Sequence, residues 1–242
     1  MSSVITSSPD GDRQLREKAQ EFADRQTESL RSIIDTDDAF ISFALSKRNA
    51  MRVCIGKGVD EAQMLRLRVD GRVKLRTNIT FDCRMDSENS YLAIDKSDFH
   101  VFPAFEGAPF YRIEFLRDPK KVPASHIQFH ADREELVDLM VDKQEKSQIA
   151  DLHFPTGGHR FRPCFEDVLQ MLISEFGIDR RTDWRKHVVA ARQEYRKTQL
   201  RAAIRDAPDV AIEYLREAGY TICWNDDSKP EPSGSTKPWK SY

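Results

Sequence analysis

The sequence predicts an α+β fold, in which an antiparallel β-meander sheet over residues 39–131 is followed by a helical C-terminal part over 132–224. Apolar and polar residues alternate through the first region, whereas apolar residues recur at helical spacing in the second. The connections in the first region are short and contain no helical pattern, which favours antiparallel strands. We expect a helix over 12–35 before the sheet, and disordered ends over 1–11 and 225–242.

Eight runs have the strand pattern, and they are 40–45, 64–69, 73–77, 79–85, 91–94, 99–102, 110–116 and 125–130. Successive side chains of a strand point to opposite faces, so each run offers an apolar face to a core. Asp70-Gly71 lies between the second and third runs. An Asp-Gly pair between two alternating segments is typical of a two-residue β-hairpin, so we expect a hairpin there.

Helical periodicity follows the last of these runs. Helices are predicted over 133–141, 165–176, 182–206 and 208–219, and a final short strand over 220–224. Gly177 stands where a left-handed residue commonly ends a helix, and Pro208 stands at a helix start, where proline is tolerated. The longest helix would pack through an apolar stripe made of Trp184, Val188, Ala191, Tyr195 and Ala202.

The composition excludes several classes of protein. The 242 residues carry 38 Lys and Arg against 40 Asp and Glu, a formal net charge of −2, so the chain is not a polycationic nucleic-acid sleeve. No segment reaches the roughly 18 consecutive apolar residues of a membrane span. The first residues lack the apolar core of a signal peptide, and the cysteine spacing fits no zinc module. We therefore expect a cytoplasmic protein with reduced thiols and with no membrane partner, cofactor or metal.

Polar side chains fall on one face of two neighbouring predicted strands. Arg112 and Glu114 share a face of the run 110–116, and the next run places three residues on one face, namely His126, Gln128 and His130. The loop between these runs is short, so antiparallel pairing would bring the two sets together. Histidine exchanges protons near neutral pH, and we predict that His126 or His130 acts as a general acid or base beside Glu114.

A second candidate segment, 152–163, precedes the helix predicted at 165. It supplies two histidines, two glycines and two arginines, which are His153, Gly157, Gly158, His159, Arg160 and Arg162. Arginine grips phosphate, glycine permits close approach of a ligand, and a helix N-terminus favours an anion. Arg112 would be a third arginine that binds phosphate, and His153 or His159 would lie next to His126. The segment therefore predicts a site for a phosphodiester.

No metal is predicted at these histidines. His126 and His130 lie about 13 Å apart along a strand, which is too far for one shared ion. The alternative interpretation needs no ligand at all. One wet sheet face is normal for an antiparallel sheet, the glycines would serve a tight turn, and Arg160 and Arg162 would tie that turn to acidic residues.

The predicted hairpin has one strongly basic face. We call this face the basic ribbon, and its five cations are Arg66, Arg68, Arg72, Lys74 and Arg76. A row of cations without an acid suits the phosphate backbone of RNA or DNA, or an acidic protein partner. The alternative is a solvated face whose charges are balanced across the sheet by acids such as Asp82 and Glu114.

Four segments resemble a protein family of high-GC Gram-positive bacteria over about residues 105–222, and they are 110–114, 125–131, 152–163 and 184–220. That family has no assigned activity, so the resemblance implies no function. The Arg112-x-Glu114 strand followed by His126 and His130 also resembles TumE-type toxins. Those are small sheet proteins of toxin–antitoxin pairs, in which an Arg-x-acid strand precedes a histidine-rich strand.

Two functions from different classes follow from these patterns. The first is a nucleic-acid-directed protein, such as a ribonuclease-like component of a toxin–antitoxin or phage-defence system. The second is a non-enzymatic module that binds a protein partner through its helical half. An enzyme requires histidines that converge on one reacting atom, whereas nucleic-acid binding requires only an exposed basic ribbon.

Overall fold

An antiparallel sheet followed by helices confirms the predicted α+β class. The computed structural model describes residues 9–45, 49–58, 60–86, 89–105, 107–130, 154–156 and 160–223. The helices are α1 (Pro9–Ile33), α2 (Phe165–Phe176), α3 (Trp184–Asp206) and α4 (Pro208–Glu217). The strands are β1 (Ala39–Ala44), β2 (Met51–Lys57), β3 (Glu61–Ala62), β4 (Leu65–Val69), β5 (Arg72–Met85), β6 (Leu92–Pro103), β7 (Tyr111–Leu116), β8 (Ser125–Phe129) and β9 (Phe154–Pro155).

Within the described ranges the strands form one sheet in the order β1-β2-β5-β6-β7-β8-β9, with β3 beside β2 and β4 beside β5. Each strand from β5 to β8 pairs with the next in antiparallel fashion, so the meander is confirmed. Asp70 and Gly71 have φ angles of 51° and 74°, as a two-residue hairpin with both central residues left-handed requires. The Asp179 carboxylate accepts the backbone N–H groups of both turn residues and so fixes the hairpin tip.

The strand pattern of the sequence divides two long strands and misses three others, which are β2 and the two-residue strands β3 and β9. The predicted runs 73–77 and 79–85 are one strand, β5, and the runs 91–94 and 99–102 are joined in β6. In β6 the register shifts so that Asp82 faces Lys96 and Cys83 faces Ile94, which leaves Asp95 as the extra residue of a β-bulge and breaks the alternation. Strand β2 lacks alternation altogether, because its residues from 53 to 56 are all buried.

Helices α1 and α2 pack on one face of the sheet and form the core with it. Phe40 of β1 meets Phe165 of α2 edge-to-face at 5.4 Å between ring centroids, and Phe81 meets Phe99 at 5.6 Å. Leu30 of α1 is fully buried with them, as are several aliphatic side chains from both layers, including Ile33, Val53, Ile55, Leu169 and Leu172. This leaves the opposite sheet face to the polar side chains of the alternating strands.

The helical part follows the sequence prediction closely at α2, which ends at a left-handed Gly177 with a φ of 66°. Trp184, Val188 and Ala202 are the buried residues of the α3 stripe. Helix α1 begins at Pro9, three residues before the predicted start. The predicted strand over 220–224 is wrong for residues 220–223, which have no strand pairing, while Trp224 lies outside the described residues. The helix predicted over 133–141, residues 1–8 and the whole predicted disordered end 225–242 also lie outside them. The prediction of disorder is wrong for residues 9–11, which belong to α1.

We predict that Gly56→Ala destabilises the sheet. A Cβ at Gly56 would lie 2.2 Å from Cδ1 of Ile41 and 2.6 Å from the backbone oxygen of Glu61. We expect urea denaturation to show a loss of about 1–3 kcal/mol in the free energy of unfolding, as for other overpacked sites. The double variant with Ile41→Ala should stay destabilised, since the Glu61 carbonyl cannot move away. A Gly56→Ala protein as stable as the wild type would contradict this packing.

We also predict a single reactive cysteine among the four. Cys54, Cys83 and Cys164 are buried, and burial raises the pKa of each thiol, whereas Cys223 is exposed. The thiolate is the reactive form, so a disulfide reagent should label Cys223 in the native protein and all four thiols after denaturation. Peptide mapping of the labelled chain identifies the site. Fast native labelling of any of the other three would show that the core is open there.

Candidate functional site

Polar residues of β6, β7 and β8 lie side by side on the sheet face opposite to α1 and α2. The register aligns Asp98 with Glu114 and Glu114 with His126. The neighbouring row aligns His100 with Arg112 and Arg112 with Gln128. We call Asp98, His100, Glu114 and His126 the polar cluster. The sequence alternation had predicted this shared face for the β7 and β8 residues.

Glu114 lies at the centre of the polar cluster between two imidazole rings. Its Oε1 is 3.1 Å from Nε2 of His100, and its Oε2 is 3.3 Å from Nε2 of His126. Hydrogen bonds from His100 and then His126 hold the pKa of Glu114 well below its ordinary value, although burial acts in the opposite direction. The carboxylate is therefore an anion whose two oxygens are both held in place.

His126 is fixed from both sides. The residue is only 1% exposed, and its Nδ1 lies 2.9 Å from the carbonyl oxygen of Pro123. A carbonyl only accepts, so Nδ1 carries a proton, and Nε2 then faces the Glu114 carboxylate. The ring is thus held between the Pro123 carbonyl and the Glu114 carboxylate.

Two buried polar atoms of this face have no hydrogen-bond partner within the described part of the chain. One is Oδ1 of Asp98, which is 6% exposed, and the other is Nε of Arg112. The second oxygen of Asp98 is bound, at 2.6 Å from Nζ of Lys96 and 3.4 Å from Oγ1 of Thr80. Leaving a buried polar atom unpaired costs about 1–3 kcal/mol. Such atoms beside an acid–base cluster are typical of a binding site.

The two predicted arginines of the segment 152–163 do not join this face. Arg160 donates to Oδ2 of Asp206 in α3, with its Nε at 2.8 Å. Arg162 lies with its guanidinium carbon 4.0 Å from the ring centroid of Phe115, a residue whose side chain points to the helical side of the sheet. Burial lowers the pKa of Arg162. The structure thus does not bring Arg160 and Arg162 together with Arg112.

The remaining predicted residues of this site are placed as follows. Gln128 is buried in the row of Arg112, and His130 follows the end of β8, where its backbone N–H donates to the Phe110 carbonyl at 2.9 Å. The other four predicted residues lie outside the described residues, and they are His153, Gly157, Gly158 and His159.

The basic ribbon lies on the hairpin of β4 and β5. Four of its side chains are exposed, which are Arg66, Arg68, Arg72 and Lys74. Arg76 is half-buried and donates to the carbonyl oxygens of Pro103 and Phe105. Among the described residues, no carboxylate oxygen lies within 4.0 Å of any of the five. Of the acids expected to balance them, Asp82 pairs instead with Arg52 at 2.7 Å and Glu114 with the histidines.

A β-bulge corrects the predicted arrangement of the ribbon. The register shifts between Leu67 and Arg68, so that Arg68 faces Val73 and Val69 faces Arg72. Directly opposed residues share a sheet face, and Val69 packs against the core. Arg72 therefore lies at the hairpin tip on the other side from Arg66, because the extra residue of a bulge breaks strict alternation.

Apart from Arg72, the ribbon lies on the same face of the sheet as the polar cluster. Arg66 is opposite Arg76, which is opposite Phe102 of β6. Asn78 follows Arg76 by two residues in β5 and therefore shares its face, and Asn78 is opposite His100. Beside Arg66, a cavity of about 230 Å³ is also lined by acids of the loop after α1, which are Asp35, Asp37 and Asp38. Arg68 and a fourth acid, Asp179, also line this cavity, so these carboxylates reduce the positive potential beside Arg66 and Arg68.

The sequence reasoning missed Asp98 and His100 although their signal was present. In Asp98-Phe99-His100-Val101 the two polar residues alternate with two buried apolar ones, the same pattern that identified the β7 residues. A meander places the strand before β7 next to it. The alternation in the strand before β7 therefore contained the signal for both residues.

Comparisons of the chain with protein-family models, with curated proteins and with solved structures found no match. In the part of the chain that the structure describes, none of the helices is both long and apolar enough to cross a membrane.

We predict that Glu114→Gln destabilises the protein, because it removes the anion from between two imidazole rings on a largely buried face. We expect a loss of about 2–4 kcal/mol in the free energy of unfolding, measured by urea denaturation in buffer with a chelator. The control is Asp183→Asn, which breaks a solvent-exposed pair at 3.3 Å from His187 and should cost less than about 0.5 kcal/mol. Equal effects of the two substitutions would contradict the central position of Glu114.

Proposed function

We propose that the protein binds RNA or DNA by placing the sugar–phosphate backbone along the basic ribbon. The observation that carries this proposal is that the ribbon's cations have no carboxylate partner within 4.0 Å in the described residues, whereas most of the sheet's other charged side chains are paired. Unpaired surface cations keep mobile counterions. Displacing those counterions by a polyanion favours binding.

The positions of the ribbon residues on the sheet also support the ribbon as the binding surface. Arg66, Lys74 and Arg76 flank the end of the face that continues towards His100 and Arg112. A strand of nucleic acid that follows the ribbon in this direction reaches the polar cluster. Arg112, whose Nε has no hydrogen-bond partner in the described residues, then becomes a donor for a phosphate oxygen.

If the protein is an enzyme, the proposed activity is ribonuclease-like cleavage of the bound strand. His100 and Glu114 each have a side chain 18% exposed, while that of His126 is 1% exposed. We therefore assign acid–base chemistry to His100, with Glu114 orienting its ring, and give His126 the role of holding Glu114. A place in a toxin–antitoxin or phage-defence system stays a prediction of the sequence.

A second candidate function is the binding of a protein partner by the helical half. Helix α4 contributes no buried residue. It exposes Val210 at 60% and Tyr214 at 68%, and Leu200 of α3 is exposed at 62%. Exposed apolar side chains in such a group are typical of interaction surfaces.

A salt-dependent binding titration with labelled RNA and DNA tests the proposal. Two cations of the ribbon are removed in Arg66→Gln/Lys74→Gln, and the matched control Arg196→Gln/Arg201→Gln removes two exposed cations of α3. We expect the ribbon variant to bind at least about tenfold more weakly and to lower the slope of log K against log salt by about 1.5 to 2. The control should keep the affinity and slope of the wild type.

Two results would contradict nucleic-acid binding by the ribbon. One is the absence of binding by the wild type even at low salt, which would leave the α3–α4 surface as the functional one. The other is an equal loss in the control variant, which would show that binding follows total charge. Cleavage of the labelled strands in the same samples, lost in His100→Gln, would support the ribonuclease-like form.

A further inference from the structure

Three side chains of the polar cluster lie close enough together to bind one metal ion. Asp98 and His100 come from β6 and Glu114 from β7, and one ligand atom of each lies within 4.8 Å of the others. We propose that these three residues bind one divalent first-row transition-metal ion, with Zn²⁺ as the test ion. This site does not depend on the proposed nucleic-acid binding. A bound ion does exclude the acid–base role of His100 in the ribonuclease-like form, because the ion takes the lone pair with which the imidazole would accept a proton.

The spacing between the ligand atoms fits one ion. Two atoms that each lie about 2.1 Å from a metal are about 3.0–3.4 Å apart at octahedral or tetrahedral angles. Nε2 of His100 and Oε1 of Glu114 are 3.1 Å apart. A metal ion between them would thus replace the proton of their hydrogen bond with little movement of either side chain.

Asp98 supplies an independent observation. The residue is 94% buried, and its Oδ1 has no hydrogen-bond partner among the described residues. Its Oδ2 is held by Lys96 and Thr80, so Oδ1 is the oxygen left to coordinate an ion. A buried and unpaired carboxylate oxygen is unfavourable without a cation, and the proposed ion supplies that cation.

His126 fits the role of a positioning residue next to the site. Residues that bind metals are usually held by hydrogen bonds from a second layer of groups. His126 lies against Oε2 of Glu114, and its Nδ1 is fixed by the Pro123 carbonyl. Glu114 is thereby held with Oε1 towards His100, which is the oxygen that the ion requires.

The donor set indicates the class of metal. One imidazole with two carboxylates suits Zn²⁺ or Mn²⁺ better than the thiolate-seeking ions. Three protein ligands leave at least one coordination position for water or for a ligand oxygen such as that of a phosphate. His100 and Glu114 are each partly exposed, so that position is open to the outside.

Equilibrium dialysis of the full chain against Zn²⁺, with metal analysis of the protein, tests the site. We expect about one ion per chain in the wild type and at least about a hundredfold weaker binding in Asp98→Asn and His100→Gln. Asp98→Asn keeps the shape of the side chain. His187→Gln is the matched control, because it removes a histidine from the exposed pair with Asp183 and should bind like the wild type.

A second measurement serves if either variant fails to fold by circular dichroism. The visible spectrum of the wild type loaded with Co²⁺ reports the ligand atoms, and we expect nitrogen and oxygen coordination without a thiolate charge-transfer band. The proposal is overturned if the wild type binds no ion, if both folded variants bind like the wild type, or if the Co²⁺ spectrum shows thiolate ligands. Nucleic-acid titration of the same variants separates failure of this site from failure of the ribbon.

Discussion

The register between β6, β7 and β8 is the constraint on which the candidate site depends. Because side chains alternate along each strand, one fixed register places Asp98, Glu114 and His126 in a row and leaves Phe99, Ile113 and Ile127 on the helical side. A slip by one residue would exchange the two sets. The aromatic contacts beneath the sheet, such as Phe81 against Phe99, therefore also hold the polar cluster in place.

The charges on the polar face follow a gradient along the sheet. At one end Glu114 is enclosed by two imidazole rings, and Asp98 is held by Lys96. At the other end Arg66 and Lys74 are exposed without a carboxylate partner in the described residues. In the described part of this near-neutral chain, a locally basic ribbon thus leads to a cluster that holds two carboxylates. That combination suits a polyanion at the ribbon and a cation at the cluster.

Much of this face could be predicted from the sequence, and the limits have physical causes. Asp70-Gly71 and the alternation around Glu114 and His126 report local geometry, so they predicted the hairpin and the shared face. The β-bulges could not be predicted from alternation, and the bulge between β4 and β5 places Arg72 on the other side of the ribbon. Strand β2 was missed because it is buried on both sides, and the position of Arg162 depends on long-range packing against Phe115.

We propose that the basic ribbon and the polar cluster form one continuous functional face. Backbone amide NMR of the full chain during titration with a short oligonucleotide tests it most directly. We expect shifts that begin in β4 and β5 and extend along β6 and β7 to His100 and Arg112, while the amide signals of α4 are unchanged. Shifts confined to α4, or none at concentrations that saturate binding, would contradict it.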